Sequence, residues 1–136
     1  MSRKLLVIDD DTDVLKGLTV RLKANGYAVA QAVDGMQAIL AARRERPDLI
    51  LLDIGLPGGD GYSVMERLRS MRPLARIPIV VLTALDPATH QERALQAGAA
   101  AFLQKPVENE ALLGAIRSAL GDLGAPPPAA KARGVG

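Results

Sequence analysis

Three runs of four apolar residues recur along the chain, and each ends in a polar side chain: Leu5, Leu6, Val7 and Ile8 before Asp9, Leu49 to Leu52 before Asp53, and Ile79 to Leu82 before Thr83. Runs this short and continuous, bounded by turn residues, predict strands buried on both faces. Between them the apolar spacing changes to the helical period. Val14, Leu15, Leu18 and Leu22 predict a first helix closed by Asn25-Gly26. Residues 27–33 alternate weakly and predict an outer strand. Asp34 stands three residues before Gln37, a capping-box spacing for a second helix that runs to about Arg46, where Pro47 stops it.

The second half repeats the alternation. Residues 62–71 place Val64, Met65 and Leu68 on one helical face, with Pro73 as a stop and Met65 and Met71 as ordinary helix residues. Residues 77–83 form the next strand, and Asp86-Pro87 opens a helix with proline in the first helical position, ending near Ala97-Gly98. A small-residue strand over 100–104 surrounds Phe102, Lys105-Pro106 turns the chain, and residues 108–120 form a last helix with Leu112, Leu113, Ile116 and Leu120 inward. Five strands alternating with five helices predict an α/β fold: a doubly wound parallel sheet between two helical layers. No internal repeat is visible. From Gly121 the composition turns to proline and alanine without an apolar period, so residues 1–121 are expected as one domain and 122–136 as a Pro/Ala-rich flexible tail.

Composition narrows the chemistry. A chain of 136 residues, about half of them apolar, can build one sizeable core, and with two Tyr, one Phe and no Trp that core is aliphatic. The absence of cysteine removes disulfides, thiolate catalysis and sulfur-ligated metals. No apolar run approaches the roughly 20 residues of a membrane span, and the opening MSRKLLVIDD is too short in apolar residues for a signal peptide. The expectation is therefore a cytoplasmic domain without membrane contact. Net charge is +2, yet Asp9, Asp10, Asp11 and Asp13 crowd one segment while Arg43, Arg44, Arg46, Arg67, Arg69 and Arg72 are spread over helices. With no aromatic residues interleaved among them, these arginines read as a solvated helix surface and not as a nucleic-acid interface.

The strand ends carry the candidate chemistry. Parallel strands of one sheet bring Asp9, Asp10, Asp53, Thr83 and Lys105 to the same carboxyl edge, where ligands bind in folds of this class. Carboxylates within a few ångströms of one another repel by roughly 4 kcal/mol per close pair at an effective dielectric near 20. A divalent cation relieves that conflict, and a hard, oxygen-only donor set with room for water suits Mg²⁺ better than Ca²⁺. A cation, a metal and a hydroxyl around a central carboxylate meet the needs of a transferring phosphoryl group, and an Asp carboxylate can itself be the nucleophile. Taken singly, Lys105 also fits a plain salt bridge to Asp53, and Thr83 a strand-end hydroxyl serving the backbone.

LLVIDDD, LILLDIGLPGGDG, IPIVVLTA and GAAAFLQKP, in this order and spacing, resemble the receiver domain of bacterial two-component response regulators from residue 4 to about residue 120. The resemblance implies a flavodoxin-like sheet of order 2-1-3-4-5. It implies Asp53 as phosphoacceptor, with Asp9, Asp10 and Asp53 holding Mg²⁺ together with the backbone carbonyl of Gly55, Asp10 directly and Asp9 through water. Thr83 and Phe102 match the family's switch positions and Lys105 its pairing lysine, while Pro106 matches a Lys-Pro bond that is typically cis. Asp11 fits the start of the first helix. Gly55 and Leu85 stand where relatives often carry larger or polar side chains, so neither positions water by a polar group here, and Phe102 lacks a tyrosine's hydroxyl.

The function so implied is a stand-alone receiver that takes a phosphoryl group from a histidine kinase or histidine phosphotransfer protein and signals to a downstream protein. It would be a phosphoacceptor and not a turnover enzyme, with homodimerisation through the fourth helix, fifth strand and fifth helix as a further option and no direct nucleic-acid contact. Alternatives are a receiver cut from a longer regulator or hybrid histidine kinase, and a Mg²⁺-dependent phosphatase with an aspartyl nucleophile. The phosphatase calls for a second Asp where this chain has Gly55. A flavin module of like topology is weaker still, with so few aromatics to stack a ring. His90, the single histidine, is expected on the solvent face of the fourth helix without a role. Gly58-Gly59-Asp60-Gly61 lacks the lysine and Ser/Thr of a P-loop.

Overall fold

The computed structural model describes residues 2–56 and 61–122. The elements alternate as β1 (Lys4–Ile8), α1 (Thr12–Ala24), β2 (Ala28–Ala32), α2 (Gly35–Glu45), β3 (Leu49–Leu52), α3 (Gly61–Ser70), β4 (Ile79–Thr83), α4 (Pro87–Gln96), β5 (Ala101–Gln104) and α5 (Asn109–Leu120). All strand pairings are parallel and the order is β2-β1-β3-β4-β5. The Gly58-Gly59-Asp60 loop and the Pro/Ala-rich stretch beyond Asp122 lie outside the described residues. Among the described residues no helix is long and apolar enough to cross a membrane.

The uninterrupted apolar runs have a simple cause. Successive strand residues point to opposite faces, and both faces are covered. Leu6, Ile8, Ile50, Leu52 and Val81 pack against Ala38, Ile39, Val64, Met65, Leu68 and Ala94 of α2, α3 and α4. Leu5, Val7, Leu49, Leu51, Val80 and Leu82 pack against Leu15, Leu18, Leu22, Leu112 and Ile116 of α1 and α5. The sheet therefore separates two aliphatic cores.

Local signals hold the elements in place. Asp11 caps α1, its carboxylate accepting from the Asp13 and Val14 amides, as expected for the acid that opens this helix. Asp34 accepts from the Gln37 amide, while the Gln37 side chain reaches back to the amide of Val33, one residue before the cap. Asp86 caps α4 with Pro87 in its first turn. The second helix stops one residue short of the expected Arg46, which instead takes a left-handed conformation (φ 46°) as the turn into Pro47. Gly61 is needed for close approach, because a side chain there would run into the backbone of Ile54 where α3 starts against the end of β3. α4 is attached differently from the other helices: Ala94 is its single buried residue.

Leu51, 1% exposed in the central strand, should lose about 2–5 kcal/mol of stability when cut to Ala. Leu40, 56% exposed on α2, should lose less than about 0.5 kcal/mol on the same change. Urea midpoints followed by circular dichroism measure both.

Candidate functional site

The parallel register builds the site. Ile8 pairs with Leu52, so Asp9 and Asp53 are the next residues on adjacent strands. The Asp53 amide donates to the carbonyl of Ile8 (3.0 Å), which carries the alignment one step past the regular ladder. On the other side Thr83 pairs with Gln104, and the Lys105 amide donates to the carbonyl of Thr83 (2.8 Å). Four strand ends thus present Asp9, Asp53, Thr83 and Lys105 to one point.

The side chains meet there. Lys105 Nζ lies 2.5 Å from Asp9 Oδ2 and 3.1 Å from Asp53 Oδ2, bridging the two acids. Thr83 Oγ1 donates to Asp53 Oδ1 at 2.7 Å, and the Gly55 amide donates to the same oxygen at 2.8 Å. The Asp11 amide holds Asp9 Oδ1 at 2.9 Å. Asp9 and Asp53 are only 2% and 8% exposed, whereas Asp10 is open to solvent. Oxygens of Asp9, Asp10 and Asp53 all come within 4.8 Å of one another. The Lys105–Pro106 peptide bond is cis.

Burial pushes the Asp9 carboxyl above the ordinary carboxylate range, and its bonds from Lys105 and the Asp11 amide offset this only in part. Burial works to lower Lys105, but the hydrogen bond to Asp9 and the charge of Asp53 outweigh it and leave the ammonium held above the usual lysine value. Three carboxylates face one ammonium, so two negative charges stay unbalanced. The donors are oxygens only, with no His or Cys among them. That charge and donor set fit a hard dication such as Mg²⁺.

Five residues expected from the strand ends are therefore brought together: Asp9, Asp10, Asp53, Thr83 and Lys105. Gly55 joins through its amide, a role its position beyond Asp53 did not reveal. A second backbone contributor is Leu85, whose amide donates to Thr83 Oγ1 at 3.3 Å. Both are turn amides just past a strand end, and such amides leave no mark in residue type. Phe102 stands apart from the polar cluster, half-buried against the α2–α3–α4 core. His90 is a correction: it is half-buried and faces α3, with Nδ1 3.0 Å from Tyr62 Oη, because α4 lays this side chain against the first turn of α3.

A family model described as the response regulator receiver domain matches residues 5–117. The chain belongs to this family. It is 39% identical over 118 residues to the response regulator PleD of Caulobacter vibrioides, covering 87% of this chain and 26% of PleD. It is 38% identical over 128 residues to the DNA-binding dual master transcriptional regulator RpaA of a Synechocystis strain, covering 94% of this chain and 53% of RpaA. The receiver thus spans about half, or less, of these curated relatives. Among solved structures, the receiver domain of the sensor histidine kinase PA1611 from Pseudomonas aeruginosa, which has a magnesium ion coordinated in its active site cleft, superposes with a TM-score of 0.81 at 32% identity, covering 89% of this chain and 99% of that one. The chemotaxis response regulator CheY4 of Vibrio cholerae gives 0.80 at 29% identity, covering 88% and 99%.

Mg²⁺ at about a hundred times its Kd should stabilise this receiver by about 2.7 kcal/mol, read as a rise in melting temperature against an EDTA control. Asp10→Asn should shrink that rise. Because a proton competes with the cation for Asp9 and the Asp9 carboxyl titrates high, the rise should fade on acidification before the pH reaches the ordinary carboxylate range near about 4.

Proposed function

We propose that this receiver takes a phosphoryl group onto Asp53 from a phosphohistidine of a histidine kinase or phosphotransfer protein and passes the signal on through a change of surface. The carrying observation is the convergence of Lys105 and Thr83 on different oxygens of one carboxylate, Asp53, beside two further acids. The Asp53 carboxylate attacks phosphorus in line; an O–P bond forms, the P–N bond to the donor imidazole breaks, and the imidazole keeps the electron pair and takes up a proton. Lys105 and Thr83 then turn their donors from Asp53 to the phosphoryl oxygens. Asp10, Asp53 and the Gly55 carbonyl, with Asp9 through water, would hold Mg²⁺, which when bound would offset negative charge on the phosphoryl oxygens. The Gly55 amide and the Asp11 amide orient the acids throughout.

The switch follows from the same contacts. Thr83 Oγ1 already rests on Asp53, and the Leu85 amide rests on Thr83, so the hydroxyl links the acceptor to the turn just before the Asp86 cap of α4. Moving that hydroxyl onto a phosphoryl oxygen pulls this turn, and Phe102 on β5 repacks toward the space it leaves. The output surface is α4, β5 and α5, where Leu95 is 42% exposed, and it serves a downstream protein or a second copy of the receiver. The receiver occupies residues 1–121, and residues 122–136 follow it as a Pro/Ala-rich tail.

Incubation with acetyl phosphate and Mg²⁺, followed by phosphate-affinity electrophoresis, should give one retarded band that Asp53→Asn abolishes. Lys105→Ala should slow its appearance by on the order of a hundredfold or more. Persistence of the band in Asp53→Asn would sink the assignment.

A further inference from the structure

α4 buries little and makes polar contacts to its neighbour α3. Of its side chains only Ala94 is buried, with Ala97 just beyond the helix packing partly against the same core. Besides its packing on β5, α4 is fastened by a seam to α3. Tyr62 Oη lies 3.0 Å from His90 Nδ1, the two rings stack with centroids 6.1 Å apart, and the Arg93 guanidinium sits 3.8 Å above the Tyr62 ring. At the far end Arg69 of α3 reaches the carbonyl of Gly98 at 3.4 Å. Between these contacts runs a groove of about 440 Å³ lined by Tyr62, Glu66, Arg69, Arg93 and Ala97. Among the described residues neither Glu66 nor Arg93 has an ion-pair partner, so no salt bridge substitutes for the tyrosine contact.

Tyr62 is also the second residue of α3, whose start is pinned to the carbonyl of Ile54, the residue after Asp53, through the Gly61 amide at 3.1 Å. One end of the seam is therefore anchored to the chain that leaves the acid cluster, and the other to the helix with the fewest buried residues. We propose that the Tyr62 hydroxyl is a latch that holds α4 in its resting position on α3, separately from the Thr83 and Leu85 link. Losing the hydroxyl loosens α4 while the acid cluster stays as it is. The proposal rests on the reading of Asp53 as phosphoacceptor only for its signalling consequence.

Tyr62→Phe keeps the ring stack and the cation contact and removes only the hydroxyl. Amide hydrogen exchange on the unphosphorylated full chain should be roughly two- to tenfold faster in α4, the range expected for one neutral hydrogen bond, and unchanged in β1 and β3. His90→Ala, which also removes the ring stack, should accelerate α4 at least as much, and adding Tyr62→Phe to it should add less than Tyr62→Phe does alone, because the hydroxyl then keeps only its 3.5 Å approach to the carbonyl of residue 90. The concentration of beryllofluoride, used with Mg²⁺ as phosphoryl mimic, that half-saturates the α4 response should fall by up to the same factor. Labelling by acetyl phosphate should reach the same extent as in the parent. Unchanged α4 exchange, equal acceleration in β1 and β3, additive effects in the double variant, or an unshifted beryllofluoride midpoint would each overturn the latch. Labelling of Asp53→Asn would instead overturn the phosphoacceptor reading and leave the exchange result to judge the latch.

Discussion

The fold holds like charges together where water is largely excluded. Asp9 and Asp53 leave adjacent strands one residue past a paired rung, and the packing of β1 and β3 on both faces keeps their ends from spreading apart. One ammonium between them and three backbone or hydroxyl donors relieve part of the repulsion. The unbalanced remainder gives the site its appetite for a dication and for a group that brings oxygens needing positive neighbours. Stability and reactivity are therefore set by the same strands.

Most of the architecture was readable because strands covered on both sides leave unbroken apolar runs, and caps such as Asp11, Asp34 and Asp86 mark where helices begin. The distribution of those runs between two cores was not readable, since a continuous run does not show which residue faces which layer. The helix end at Arg46 was also hidden. A left-handed turn there would have been expected at glycine or asparagine, and here it falls on Arg46, between the end of α2 and Pro47.

The acid cluster was legible for a related reason. Each of its side chains follows directly on a recognisable strand end, so parallel pairing alone brings Asp9, Asp53, Thr83 and Lys105 together. The amides of Gly55, Asp11 and Leu85 were invisible, because every residue except proline offers the same donor and only the turn geometry aims it. The pairing of Tyr62 with His90 was equally hidden. Their positions are 28 residues apart, and neither carries a spacing that ties one helix face to another.

The sheet divides the molecule into two layers that share a backbone but no side chains, with α4 on one side and α1 and α5 on the other. α4 buries only Ala94 and so costs little to displace, while Leu15, Leu18, Leu112 and Ile116 interlock in the opposite layer. A rearrangement that begins at α4 therefore has little packing to undo, and the side of the sheet on which α1 buries Leu15, Leu18 and Leu22 can stay in place.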